Sequence, residues 1–235
     1  MGFKQRFPVV SPGAGVVVSV WRVLLTALLA FWLLGASFAL LLLTPVTHLL
    51  AEVTVNADDS AYDHDTLVGF ADEGLRFCLG FDLEQIPLGD DDHTSWTADV
   101  VSHMLDVRAV FQGALLLVGL VTLTLAVGLP LYARYQGVAR LGRLLRIAGI
   151  IPLVLTVVLS VVGAIGFEAL FTAMHKLFFT EGSWTFAYDS LLICTYPTTF
   201  WIGCAIIWAA ALLLMSTTSI LLGHYLSKRN SNPRQ

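Results

Sequence analysis

The chain has 235 residues, 57% of them hydrophobic and 13% charged, with a formal net charge of −4. Soluble domains carry about 25% charged residues, so this composition excludes a soluble globular fold and points to a chain surrounded mostly by lipid. The charge is also segregated: Glu52, Asp58, Asp59, Asp63, Asp65, Asp72, Glu73, Asp82, Glu84, Asp90, Asp91, Asp92, Asp99 and Asp106 fall between the first two apolar runs, opposed only by Arg76 before Arg108. Nucleic acid, itself a polyanion, is thereby excluded as a partner.

A helix needs about 20 apolar residues to cross a hydrocarbon core of about 30 Å. Four segments have that length, at about 23–44, 110–133, 147–170 and 201–222, and Glu168 is the one charged residue within them. The first has the basic start and small residues (Gly35, Ala36, Ser37) of a signal peptide. Its apolar run continues through 38–43, past the usual length of about 7–15 residues, so it reads as an uncleaved anchor. Met1-Gly2 is followed by Arg6 where myristoylation wants Ser or Thr.

Short cytoplasmic loops carry an excess of Lys and Arg. Lys4, Arg6 and Arg22 precede the first span, Arg134, Arg140, Arg143 and Arg146 separate the second and third, and Lys228, Arg229 and Arg234 follow the fourth. The expected architecture is an all-α, single transmembrane domain over 1–235 with both termini cytoplasmic. Residues 45–109 and 171–200 then form an extracytoplasmic cap, the first loop large and acidic and the second shorter.

Within the first loop, 65–79 has Leu67, Phe70, Leu75 and Phe77 at loosely helical spacing. Residues 86–92, with Pro87, Gly89 and three aspartates, have turn composition. Helical spacing resumes over 97–110, with Val100, Met104 and Val107 on one face, and runs toward the second span. The cysteines Cys78, Cys194 and Cys204 follow no metal spacing. Cys204, in an apolar run, is a small hydrophobe. Pairing of Cys78 with Cys194 is left open.

Two polar constellations stand at the outer ends of the spans. The first runs from Ser102 through His103, Asp106 and Arg108. Helical positions three apart share a face, so Asp106 can orient His103 and make it a general base. Alternatively the group is a hydrated helix start, with Asp106 paired to Arg108 or to solvent. In the second, Glu168, Thr172 and His175 share a face if the third helix continues. A carboxylate at this depth is a functional candidate, or else it snorkels outward or pairs with Lys176. Phe171, Phe178, Phe179, Trp184, Phe186, Tyr188 and Tyr196 form either an interfacial belt or the walls of an acyl-chain pocket. His48, His64, His93 and His224 lie outside both groups and are not expected to be essential. Metalloprotease, nucleophile-elbow, phosphate-loop and paired-cysteine motifs are missing, so no metal or cofactor is expected.

The pattern His103-x-x-Asp106-Val107 before the second span, then Phe171-x-x-x-His175-x-x-Phe178-Phe179-x-x-x-x-Trp184, resembles the bacterial lipoprotein intramolecular transacylase (Lit) family. Asp189-x-x-Leu192-x-x-x-Tyr196-Pro197-x-x-Phe200 fits as well. The resemblance implies acyl transfer from the sn-2 oxygen of a diacylglyceryl lipoprotein to the α-amino group of its N-terminal cysteine, leaving a lyso-form product. It implies His103 and His175 as the catalytic pair, to which the spacing adds Asp106 and Glu168 as supporting candidates. Arg108 or Tyr196 would steady the oxyanion, and Phe171, Phe178, Phe179 and Trp184 would line the substrate pocket. The partners implied are diacylglyceryl-modified lipoproteins and membrane lipids, in the bacterial cytoplasmic membrane with the site facing outward. The acidic loop can attract the substrate's protonated amine.

Two other readings compete. A non-catalytic accessory protein would dock a partner through the acidic loop. A transporter fits poorly, because Thr122, Thr124, Thr156 and Ser160 are nearly all the polarity at mid-membrane depth.

Overall fold

The computed structural model describes residues 12–229, with side chains from 19 to 228. The chain runs through α1 (Pro12–Ala39), a 3-10 turn (Leu40–Leu42), α2 (Thr44–Thr54), α3 (His64–Leu79), α4 (Ala98–Gln136), α5 (Val138–Phe178), α6 (Leu191–Thr195) and α7 (Thr198–Arg229). No strand forms among the described residues. A single bridge joins Leu88 and Trp96 in the turn-rich segment before α4.

Among the described residues four helices are long and apolar enough to cross a membrane, over Ser19–Leu42, Ala98–Gln136, Val138–Phe178 and Thr198–Lys228. α4 has 39 residues and α5 has 41. At about 1.5 Å per residue each runs to about 60 Å, twice the apolar thickness. The apolar run of α4 begins about three turns into the helix and that of α5 ends about two turns before its C-terminus, so the first turns of α4 and the last turns of α5 extend beyond the apolar stretches. With α2, α3 and α6 these turns make a cap at one end of the bundle. Gly137, at φ +88°, is the single residue between α4 and α5. That left-handed conformation favours glycine and folds the two helices into an antiparallel hairpin.

Small residues hold α5 against α7. A Cβ at Gly142 would lie 2.6 Å from the Gly223 carbonyl oxygen, and one at Gly149 would lie 2.7 Å from that of Ser216. Such close backbone approach, with Ser219 Oγ donating to the Leu145 carbonyl at 2.9 Å, replaces the hydrophobic drive that lipid removes. Trp32 Nε1 donates to Thr122 Oγ1 at 2.7 Å, linking α1 to α4, and Trp208 Nε1 donates to the Leu34 carbonyl at 3.3 Å, linking α7 to α1. The hydroxyls of Thr122, Thr124 and Thr156 each return to the carbonyl four residues back, so they are satisfied within their own helices.

In the cap, the helix expected over 65–79 is α3. Asp63 caps its N-terminus by accepting from Thr66 N–H at 2.9 Å. Gly80, at φ +115°, ends it: Gly80 N–H donates to Phe77 and Phe81 N–H to Arg76, both at 3.0 Å. The helix expected from 97 onward is the start of α4, with Thr97 as its N-cap. Leu67, Phe70, Phe77, Trp96, Val100 and Leu191 form the cap core. Cys78 and Cys194 are buried in the same core as free thiols, and burial pushes the Cys78 thiol up to about 12.

One anchoring feature was not visible in the spacing. Glu73, 6% exposed, accepts from three successive main-chain N–H groups, those of Glu84, Gln85 (2.8 Å) and Ile86 (3.0 Å). It pins the irregular segment after α3. That segment in turn holds the second outer loop: His93 Nδ1–H donates to the Asp189 carbonyl at 2.9 Å, and Leu191 N–H to the Asp92 carbonyl at 2.7 Å. Glu73→Ala strips three amides, that of Ile86 buried, of their acceptor, a loss of about 3 kcal/mol. Thermal unfolding in detergent is expected to drop by about 6–12 °C, and Glu73→Gln, which keeps one carbonyl oxygen, to drop less.

Candidate active site

His103 and His175 are brought together from opposite ends of the sequence pattern. On α4, His103 shares the inward face with Val100 and Val107 and is 7% exposed. On α5 the helical ladder breaks at Gly166 (φ −162°, ψ 81°), and residues 167–178 continue as a separate helical segment. Its inner face carries Phe171 and His175, the latter also 7% exposed. The two imidazoles stack with ring centroids 6.2 Å apart and planes inclined by 24°.

His175 Nδ1 lies 2.9 Å from the Phe171 carbonyl oxygen. A carbonyl only accepts, so Nδ1 carries the proton, and in the neutral ring Nε2 holds the free lone pair. His103 makes no such bond: its Nδ1 is buried without a partner. The pair is walled by aromatic rings. Phe179 touches both histidines, at 4.9 Å from His103 and 5.4 Å from His175. Phe171 lies 4.0 Å and Trp184 4.8 Å from His175, centroid to centroid. Phe186, 5.6 Å from His103, completes the wall. It stood in the aromatic run of the sequence, but only the fold of the second loop brings it to His103. Toward the membrane, Phe171 meets Trp201 of α7 at 5.8 Å, while Phe38 of α1 meets Phe111 of α4 at 5.6 Å.

The remaining candidates lie elsewhere. Asp106 is exposed, and no hydrogen bond joins it to His103. Arg108 reaches back to α3, donating to the carbonyls of Gly80 (3.0 Å) and Phe81 (3.4 Å), with its guanidinium 5.2 Å over the Phe77 ring. Tyr196 donates to the Ala71 carbonyl at 2.8 Å. Glu168 is exposed and bonded neither to His175 nor to Lys176, whose ammonium lies 3.8 Å from Glu181. Phe178 is 52% exposed, and its ring meets that of Phe179 at 6.4 Å. Among the described residues no group of three or more His, Cys, Asp or Glu converges to hold a metal. A surface groove of about 520 Å³ lined by Asp90, Trp96, Val101, Ser102 and Leu105 runs along α4. At about 100° per residue, that face is turned roughly 150° from His103, so the groove is not part of this site.

Four helices long and apolar enough to span a bilayer, with a buried, aromatic-walled imidazole pair under a helical cap, define a multi-pass membrane protein. The family model described as lipoprotein intramolecular transacylase Lit matches residues 23–201. The chain belongs to the Lit family, and is thereby an acyltransferase acting as a lipoprotein transacylase. Comparison with curated proteins finds no match. Among solved structures, the chain is similar to the membrane-integral lipoprotein intramolecular transacylase Lit from Bacillus cereus. The TM-score is 0.77 at 16% identity, over 92% of this chain and 99% of that one. Two variants of the same protein, with a histidine replaced by arginine or by alanine, give TM-scores of 0.72 and 0.70, also at 16% identity. The first covers 93% of this chain and 95% of its own, the second 93% and 97%. At that identity the likeness is one of fold.

The enclosure has a direct chemical readout. Diethyl pyrocarbonate is expected to modify His103 and His175 several-fold more slowly than His48 and His64, whose side chains are 44% and 43% exposed. Phe179→Ala, which removes the ring touching both imidazoles, should bring their rates up toward the exposed pair, measured by peptide mass spectrometry.

Proposed function

We propose that this transacylase moves the sn-2 acyl chain of a diacylglyceryl lipoprotein to the α-amino group of its N-terminal cysteine, at His103 and His175. The stacked, buried histidine pair supports this reading most directly. Aminolysis of an ester needs a base for the attacking amine and an acid for the departing glycerol oxygen, and two imidazoles serve both needs near neutrality. His175, with Nδ1–H held by the Phe171 carbonyl, presents Nε2 as the base. The proton that His175 takes from the amine is passed across the stacked His103 to the departing glycerol oxygen, so both imidazoles begin and end neutral.

Amine and ester sit on one molecule, so orienting that headgroup supplies effective molarity, at best about 7–11 kcal/mol. Exchange of an ester for an amide is downhill and needs no nucleotide. Water competes with the amine, and the rings of Phe171, Phe179, Trp184 and Phe186 keep it out.

In this reading the cap faces outward from the bacterial cytoplasmic membrane. Charge supports that orientation: every Asp and Glu of the chain lies in the cap or at its border, from Glu52 to Asp106 and at Glu168, Glu181 and Asp189. Arg22, Arg134, Arg140, Arg143, Arg146 and Lys228 belong to the opposite end, where the positive-inside rule puts the cytoplasm. The acidic cap also favours approach of the protonated amine.

Transfer within one molecule leaves the mass unchanged, so the assay must locate the chain. Expressed in a bacterium that makes diacylglyceryl lipoproteins, the protein is expected to yield an N-terminal lipopeptide of equal mass. Its fragments should carry the acyl group on nitrogen, and its amine should no longer react. His103→Ala and His175→Ala are each expected to lower the product by about 10²–10⁴-fold. A free amine persisting beside the wild-type protein would sink the reading.

A further inference from the structure

Moving protons does not by itself stabilise the tetrahedral intermediate, whose carbonyl oxygen carries developing negative charge and needs a donor aimed at it. The two donors that the sequence suggested are turned onto main-chain carbonyls. The Arg108 guanidinium is spread over the Gly80 and Phe81 carbonyls, and the Tyr196 hydroxyl is bonded to Ala71. Of the rings around the pair, Phe171, Phe179 and Phe186 have no donor at all. Trp184 does. Its ring lies 4.8 Å from His175, inclined by 37°, and its Nε1 is buried with no partner. An indole N–H can only donate, and a buried donor left unpaired in a native fold calls for a reason.

We infer that Trp184 is a catalytic residue, its Nε1–H donating to the acyl carbonyl oxygen of the ester and holding that oxygen as it becomes the oxyanion. The inference rests on the transacylase reading above. The amine nitrogen attacks the carbonyl carbon, the N–C bond forms, and the carbonyl π pair moves onto oxygen, where the indole N–H meets it. The pair then returns, the bond from carbon to the glycerol oxygen breaks, and that oxygen takes up the proton equivalent lost by the amine. The indole keeps its own proton, and no electrons are exchanged with any other group. The position beside His175 is suited to this role: the base that deprotonates the nucleophile and the donor that receives the oxyanion must flank the same carbonyl carbon.

Trp96 is the built-in control. Its Nε1 is also buried and unpartnered, but it packs in the cap core against Phe77. Replacing each tryptophan in turn by benzothienylalanine, which puts sulfur where the N–H was and keeps the ring shape, isolates the donor. At 184 kcat is expected to fall about 10²–10³-fold with KM little changed; at 96 kcat should stay at the wild-type value. Trp184→Phe is expected to fall as far, and Trp184→His, which retains a ring N–H, to recover part of the loss. Wild-type kcat with the analogue at 184, an equal loss at 96, or Trp184→His no better than Trp184→Phe would overturn the inference. A wild-type protein that makes no N-acylated product would instead overturn the reading on which it rests.

Discussion

A bilayer offers no hydrogen-bond partner to a peptide group, and the rest of this fold follows from how the chain meets that constraint. Among the described residues helices are the only secondary structure within the apolar zone, and the threonine hydroxyls there turn back onto their own helices. Irregular backbone is therefore exported to the ends. The two long helices carry it out: α4 and α5 each run about twice the length a crossing requires, and the histidines stand on the excess. Because both stand on helix rather than loop, their separation is set by the packing of rigid elements.

The cap solves a second problem, that of holding two loops of opposite origin over one point. Glu73 gathers the main chain after α3, that segment ties to Asp189 and Leu191, and the second loop then sets Trp184 and Phe186 against the pair. A buried carboxylate would be expensive alone, but three amides supply the solvation that water would have given. The consequence for function is water exclusion, since the walls of the site belong to a loop that would otherwise be free to open.

The spans, α3 and the start of α4 were legible because each rests on local information: length, hydrophobic period, and caps such as Asp63, Thr97 and Gly80. The histidine pair was legible through its resemblance to a family pattern, not through spacing. At Asp106 the three-residue offset left two readings open, contact with His103 or a hydrated helix start. That offset also turns a side chain about 60° around the helix, and here it takes Asp106 to water. Glu168 shows the same limit, because sharing a helical face does not decide which face meets the protein. The Glu73 cradle lay beyond local reading altogether: its donors are 11 to 13 residues downstream, in backbone with no side-chain signature. Arg108 and Tyr196 look available in sequence, and only tertiary structure shows their donors already taken.

The position of the site along the membrane normal restricts the route of the substrate. A lipid-modified cysteine keeps its acyl chains in the hydrocarbon and its polypeptide in water, so its ester and amine stay near the boundary between them. The histidine pair lies between the cap and the Phe38–Phe111 and Phe171–Trp201 contacts, and on the proposed function that is where it would meet the boundary. Neither reacting group has to be drawn deep into the membrane or lifted far from it. On the proposed reaction the aromatic walls have one remaining task, to make the amine more available than water at a place where water is close by. That is why the protein surrounds two imidazoles with rings rather than with polar groups, and why a donor placed among those rings carries more weight than the same donor in an open site.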